Sequence, residues 1–157
     1  MFQFTKILFV FFISVIFLAN STNLCAHEQK QGKGKVTVEN SWARATFALA
    51  KTGAVYLSIE NQSKNDIKLL SVSVDSSVAS DAQLHETLMQ DEMMLMREAE
   101  DGFEIPVGSS LEFLPGGKHI MLLGLEKPLS TGEKFVLSLI FENNKVMRVP
   151  IEVKDAR

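Results

Sequence analysis

Three short stretches of this chain carry residue types able to bind a soft metal ion. His85 lies in Leu84-His85-Glu86-Thr87-Leu88, and Met89, Met93, Met94 and Met96 crowd into the next few positions. His119-Ile120-Met121 follows directly on Pro115-Gly116-Gly117. On a strand, residues i and i+2 share a face about 6.5–7 Å apart, so His119 and Met121 can converge on one ion. A turn at Gln90–Glu92 between strands Leu84–Leu88 and Met93–Arg97 would make a hairpin that brings His85 near the methionines. Met94 and Met96 then share one face and Met93 and Leu95 the other, with one parity expected in the core. Imidazole nitrogen with thioether sulfur is a soft donor set. It suits Cu(I), fits Zn²⁺ poorly, and excludes Ca²⁺ and Mg²⁺, which want oxygen. Strand methionines are, however, ordinarily core filler, and a strand histidine is ordinarily a packed, hydrogen-bonded one. Residue type and spacing alone leave both roles open.

The elements that must position these residues read as strands. Ala54–Glu60 places Val55, Leu57 and Ile59 on one face, and Phe135–Phe141 does the same with Phe135, Leu137, Leu139 and Phe141. Val149, Ile151 and Val153 give a third alternation. Such alternation means half-buried strands. Turn signals separate them at Asn61–Asp66, Pro115–Gly117, Ser130–Gly132 and Asn143-Asn144. Asp75–Asp81 has room for a single helical turn, and helical periodicity is missing elsewhere. The expected fold is all-β, a sandwich or small barrel, in one domain.

The chain has 157 residues, with 16 Lys+Arg against 19 Asp+Glu. Residues 1–26 hold six of the eleven Phe and a single charge, Lys6, and read as a secretory signal. The apolar run Ile7–Ala19 would span roughly 20 Å as a helix, too short for a bilayer core of about 30 Å, so no stable membrane anchor is expected. Cleavage is expected after Ser21 or after Ala26; Thr22, three residues before Cys25, argues against lipidation there. The expected compartment is the periplasm. Residues 27–35 form a polar lead-in, 36–153 the domain and 154–157 a short tail. The mildly acidic domain has no basic block and is a poor match to nucleic acid, whose binding is mostly phosphate neutralisation. The lone Cys25 excludes an internal disulfide, a CxxC redox pair and a thiolate zinc site.

With those residues in view, the sequence resembles the periplasmic copper chaperone family PCu(A)C. That family carries a His, ten residues, a Met, and an HxM a little over twenty residues later. Here His85 is followed by ten residues and Met96, then by 22 residues and His119-Ile120-Met121. Leu84–Thr87 (LHET) and Leu114–Leu122 (LPGGKHIML) also match its text, as do Ser41–Arg44 and Gly53–Leu57 upstream. The resemblance covers roughly Val36–Val153. It implies a cupredoxin-like Greek-key β-sandwich or barrel with Cu(I) held by His85, Met96, His119 and Met121. It also implies delivery of copper towards the CuA centre of cytochrome c oxidase subunit II, alongside Sco-type proteins. Some members have a His/Met-rich C-terminal tail with a second copper site; none is expected at Lys154–Arg157.

Two other functions compete: copper sequestration or resistance through the same site, and a metal-free β-sandwich interaction module. An enzyme is not expected, because no nucleophile elbow, paired-carboxylate signature or phosphate loop occurs. Among the remaining residues, Met93 and Met147 are expected to pack, and Met89 and Met94 are open between auxiliary ligands and a docking patch. Trp42 and Arg44 are expected to serve structure, Glu86 and Asp91 to be solvated rim charges, and His27 to be incidental.

Overall fold

The computed structural model describes residues 35–90 and 93–155. The signal segment with Cys25, His27 and both cleavage positions lies outside them, as do Asp91 and the tip of the turn after Gln90. Ten strands follow in order: β1 (Val36–Arg44), β2 (Thr52–Asn61), β3 (Ile67–Val74), β4 (Ala79–Gln90), β5 (Met93–Glu98), β6 (Phe103–Ile105), β7 (Ser110–Phe113), β8 (His119–Leu125), β9 (Lys134–Phe141) and β10 (Val146–Lys154). Among the described residues no helix is long and apolar enough to cross a membrane. The segment at Asp75 is one tight turn, closed by Val78 N–H donating to the Asp75 carbonyl at 2.9 Å, and β4 begins at once.

The strands form one sheet in the order β5-β4-β8-β2-β1-β10-β9-β3-β6, with β7 paired to the second half of β2. Every pairing is antiparallel except β1 with β10. The sheet curls so that its inner face closes on itself. Val55, Leu57 and Ile59 of β2, Leu84 of β4 and Ile120 and Leu122 of β8 share one core with Leu69, Leu137, Leu139 and Ile151. The alternations read from the sequence are therefore the inward faces, and Met147 packs against the same core.

Core packing fixes what the outer face presents, because each inward residue sends its neighbours outward. Ile120 and Leu122 in the core turn His119 and Met121 out, and Leu84 does the same for Gln83 and His85. The Pro115–Gly117 turn closes with Leu114 N–H donating to Lys118 O at 2.8 Å and Gly117 N–H to Leu114 O at 3.1 Å. Gly116 has φ of 81°, a left-handed conformation that side chains disfavour, so glycine suits the position. His119 is the first residue of the strand this turn launches.

The β4–β5 hairpin departs from one expectation. Neither parity of β5 is core: Met93 is 61% exposed and Leu95 44%. Among the described residues β5 is the edge strand, with no strand paired beyond it. The core ends along β4, so the hairpin overhangs and both its faces meet solvent. On its reverse face Arg97 Nε donates to Glu86 Oε1 at 2.9 Å, so Glu86 is tied to the hairpin rather than free at a rim.

Candidate metal centre

Strand register sets the four sequence-selected residues on one outer face as successive rungs. His85 of β4 lies directly opposite His119 of β8. One rung inward, Met121 faces Gln83 on one side and Ala54 of β2 on the other. One rung outward, Met96 of β5 faces Thr87. Rungs on one face are about 6.5–7 Å apart, so the histidine pair is flanked by one methionine on each side. Met96, His119 and Met121 line a cleft of 570 Å³, together with Phe47 and Tyr56. His85 does not reach the cleft wall.

The two imidazoles are 5.7 Å apart between ring centroids and tilted by 46°. Imidazole nitrogens bind transition metals at about 2 Å, which places two rings on one ion with centroids roughly 5–6.5 Å apart. The pair already has the required spacing.

Hydrogen bonds decide which nitrogens are free. His119 Nδ1–H donates to the Gly117 carbonyl at 3.1 Å, which leaves the lone pair on Nε2. His85 Nε2 contacts Gln83 Oε1 at 3.0 Å, and the Gln83 amide nitrogen donates to Asp81 Oδ2 at 3.1 Å. A carboxylate only accepts, so the Gln83 NH₂ must face Asp81 and its oxygen must face His85. His85 therefore carries its proton on Nε2 and its lone pair on Nδ1. That Nδ1 is buried and has no hydrogen-bond partner. An orphaned buried acceptor is costly unless something fills it, and a metal ion is a fitting occupant.

Burial, followed by repulsion from the neighbouring His119, holds the His85 imidazole below the ordinary histidine range; Glu98 opposes this weakly from the same rung. Both effects keep the ring in the neutral form that binds metals. Among the described residues no group of three or more His, Cys, Asp or Glu is placed to hold an ion. The protein donors that remain beside the two imidazoles on this face include thioether sulfur, which Met96 offers openly, at 63% exposure.

Sequence reasoning missed Gln83, Asp81 and Gly117, which set the imidazole protons, and Phe47, which walls the cleft. Gln83 stands two positions before His85 on the same face, and that spacing was the available signal. Trp42 packs on Tyr56 with ring centroids 4.7 Å apart and planes tilted by 40°, whereas Arg44 lines the cleft.

Known proteins resemble this chain in sequence and in fold. The family model described as "Putative lipoprotein LpqE-like" matches residues 36–153. "Putative lipoprotein Lxx21020" of Leifsonia xyli subsp. xyli is 39% identical over 126 residues, covering 80% of this chain and 73% of that protein. "Uncharacterized protein RP573" of Rickettsia prowazekii is 25% identical over 115 residues, and the match spans 71% of this chain and 62% of that protein. Among solved structures, apo-DR1885 from Deinococcus radiodurans superposes with a TM-score of 0.61 at 26% identity, covering 80% of this chain and 82% of its own. The copper-bound PCuAC domain from PmoF2 superposes at 0.62 and 21% identity, covering 79% and 96%. With a matching family model and matching folds, the chain belongs to the LpqE-like family and is a PCuAC-type domain of cupredoxin-like fold.

Proposed function

We propose that this protein is a Cu(I) metallochaperone of an extracytoplasmic compartment, which carries its ion on His85, Met96, His119 and Met121. The observation that carries the reading is the facing histidine pair, each ring with one nitrogen engaged and the other free, flanked by two thioethers. This donor set selects a soft monovalent ion, since neither sulfur nor neutral imidazole compensates a hard dication as carboxylates do. Methionine sulfur needs no deprotonation and forms no disulfide, which suits an oxidising compartment. Related folds include the copper-bound domain of PmoF2 and CuI-DR1885, and the names of relatives refer to lipoproteins.

The placement of the donors supports delivery over storage. His119 is only 8% exposed and sits on a strand fixed by the core, so it anchors the ion. Met96 stands on the overhanging hairpin at the cleft wall, where an acceptor's ligand can replace it before the histidines let go. A buried ligand set would suit sequestration. The proposed destination is the CuA centre of cytochrome c oxidase subunit II, with Sco-type proteins acting alongside.

Anaerobic mixing of the Cu(I)-loaded mature protein with a soluble apo subunit II domain, with Sco-type protein supplied, tests this. Transfer of copper to the subunit II domain is expected. Retention on this protein, together with copper sensitivity of a deletion strain, would replace delivery with sequestration.

A further inference from the structure

The methionine cluster holds more sulfur than the inner site uses. Register pairs Met89 of β4 with Met94 of β5 directly across the hairpin, one rung beyond Thr87 and Met96. Directly opposed side chains have Cβ atoms about 4.5–5.5 Å apart, and the next rung on the same face is about 6.5–7 Å away. Methionine has three rotatable side-chain bonds, so three sulfurs spaced in this way can meet on one ion. Met89, Met94 and Met96 are 70%, 62% and 63% exposed, so core filling does not explain them. Thr87 is the other side chain of these two rungs, and Glu98 comes only on the rung of the histidines. The two outer rungs of the hairpin therefore carry three sulfurs and no charged side chain, and the nearest charge on the cleft they share is Arg44.

We propose that Met89, Met94 and Met96 form an outer, all-thioether site that holds Cu(I) in transit to and from the inner site. Met96 belongs to both sites. An ion moving from the Met89–Met94 rung towards His85 and His119 can keep the Met96 sulfur while it exchanges its other ligands, so it is never free. Met94 and Met96 line the same cleft as His119 and Met121, so sulfurs of the outer and inner sites open onto one space. No electron or proton is transferred: neutral thioethers replace neutral donors, and copper stays Cu(I). The choice of copper rests on the proposed function, whereas the grouping of three sulfurs rests on strand register alone.

The test is an anaerobic Cu(I) titration of the mature protein carrying ¹³C-labelled methionine methyls and ¹⁵N-labelled histidine rings, followed by NMR. The first equivalent is expected to move His85, His119, Met96 and Met121. Cu(I) in excess of that is expected to move Met89 and Met94 as well, and Met89→Leu/Met94→Leu should abolish this second response while the first persists. In a His85→Ala/His119→Ala variant, the Met89, Met94 and Met96 methyls should respond together, with sulfur-only coordination by X-ray absorption. Stationary Met89 and Met94 methyls in excess Cu(I) would overturn the outer site, and the wild-type titration decides this even if the histidine variant fails to fold. Failure of the first equivalent to move His85 and His119 would instead count against the copper-carrying function, whatever the outer methionines do.

Discussion

At the scale of single residues, the proposed centre is framed by side chains outside its donor set. Gln83 takes its orientation from Asp81 and hands His85 a fixed proton position. Such supporting hydrogen bonds typically contribute 10- to 100-fold in metal affinity. Gln83→Leu is therefore expected to weaken Cu(I) binding by about that factor, measured by competition with a Cu(I) chelator, and to free the His85 tautomer, read from ¹⁵N shifts. Met96→Leu should weaken binding too, yet leave unfolding free energy within about 0.5 kcal/mol, because the residue is exposed. His85 also makes the apo fold pH-dependent. Its folded value lies below the ordinary histidine value, so the unfolded chain binds the proton more readily. The stability this group contributes is complete above that range and lost as pH falls through the lower folded value. Denaturation of the apo protein between about pH 7.5 and 5 should show the loss, and His85→Gln should reduce it. The four proposed ligand positions, which the structure places on one face, were legible as types and spacings. Their tautomers were not, since a hydrogen bond between i and i+2 depends on rotamers that the sequence does not state.

At the scale of elements, two turns position the chemistry. The Pro115–Gly117 turn launches β8 with His119 at its head, and Gly116 meets no atom within 4 Å where a Cβ would stand. Gly116→Ala should thus cost only the backbone strain of its positive φ, about 1–2 kcal/mol by urea denaturation, with copper affinity of the folded protein preserved. The β4–β5 hairpin was legible from alternation, including which methionines share a face. Its overhang was not. Alternation tells inward from outward only where another layer exists to define inward, and β5 lies at the sheet's edge. Met93 therefore looks like a core residue in the sequence and is a surface residue in the fold.

At the scale of the whole molecule, the core and the metal face are two sides of the same strands. Leu137 is fully buried in β9, a strand that contributes no ligand. Leu137→Ala should lower stability by about 2–5 kcal/mol while the protein that remains folded binds Cu(I) with unchanged affinity. The all-β class and inward faces could be read from period-2 patterns in β2, β9 and β10. The parallel pairing of β1 with β10, which joins the first and last strands, has no such local signal because it spans nearly the whole domain. The central claim is that two nitrogens and two sulfurs of this face bind one Cu(I) ion. X-ray absorption of the mature protein loaded anaerobically with one equivalent of Cu(I) tests it most directly. Mixed coordination by histidine nitrogen and methionine sulfur, losing sulfur in Met96→Leu and nitrogen in His119→Ala, is the expected result. A spectrum without sulfur, or one that neither substitution changes, would contradict it.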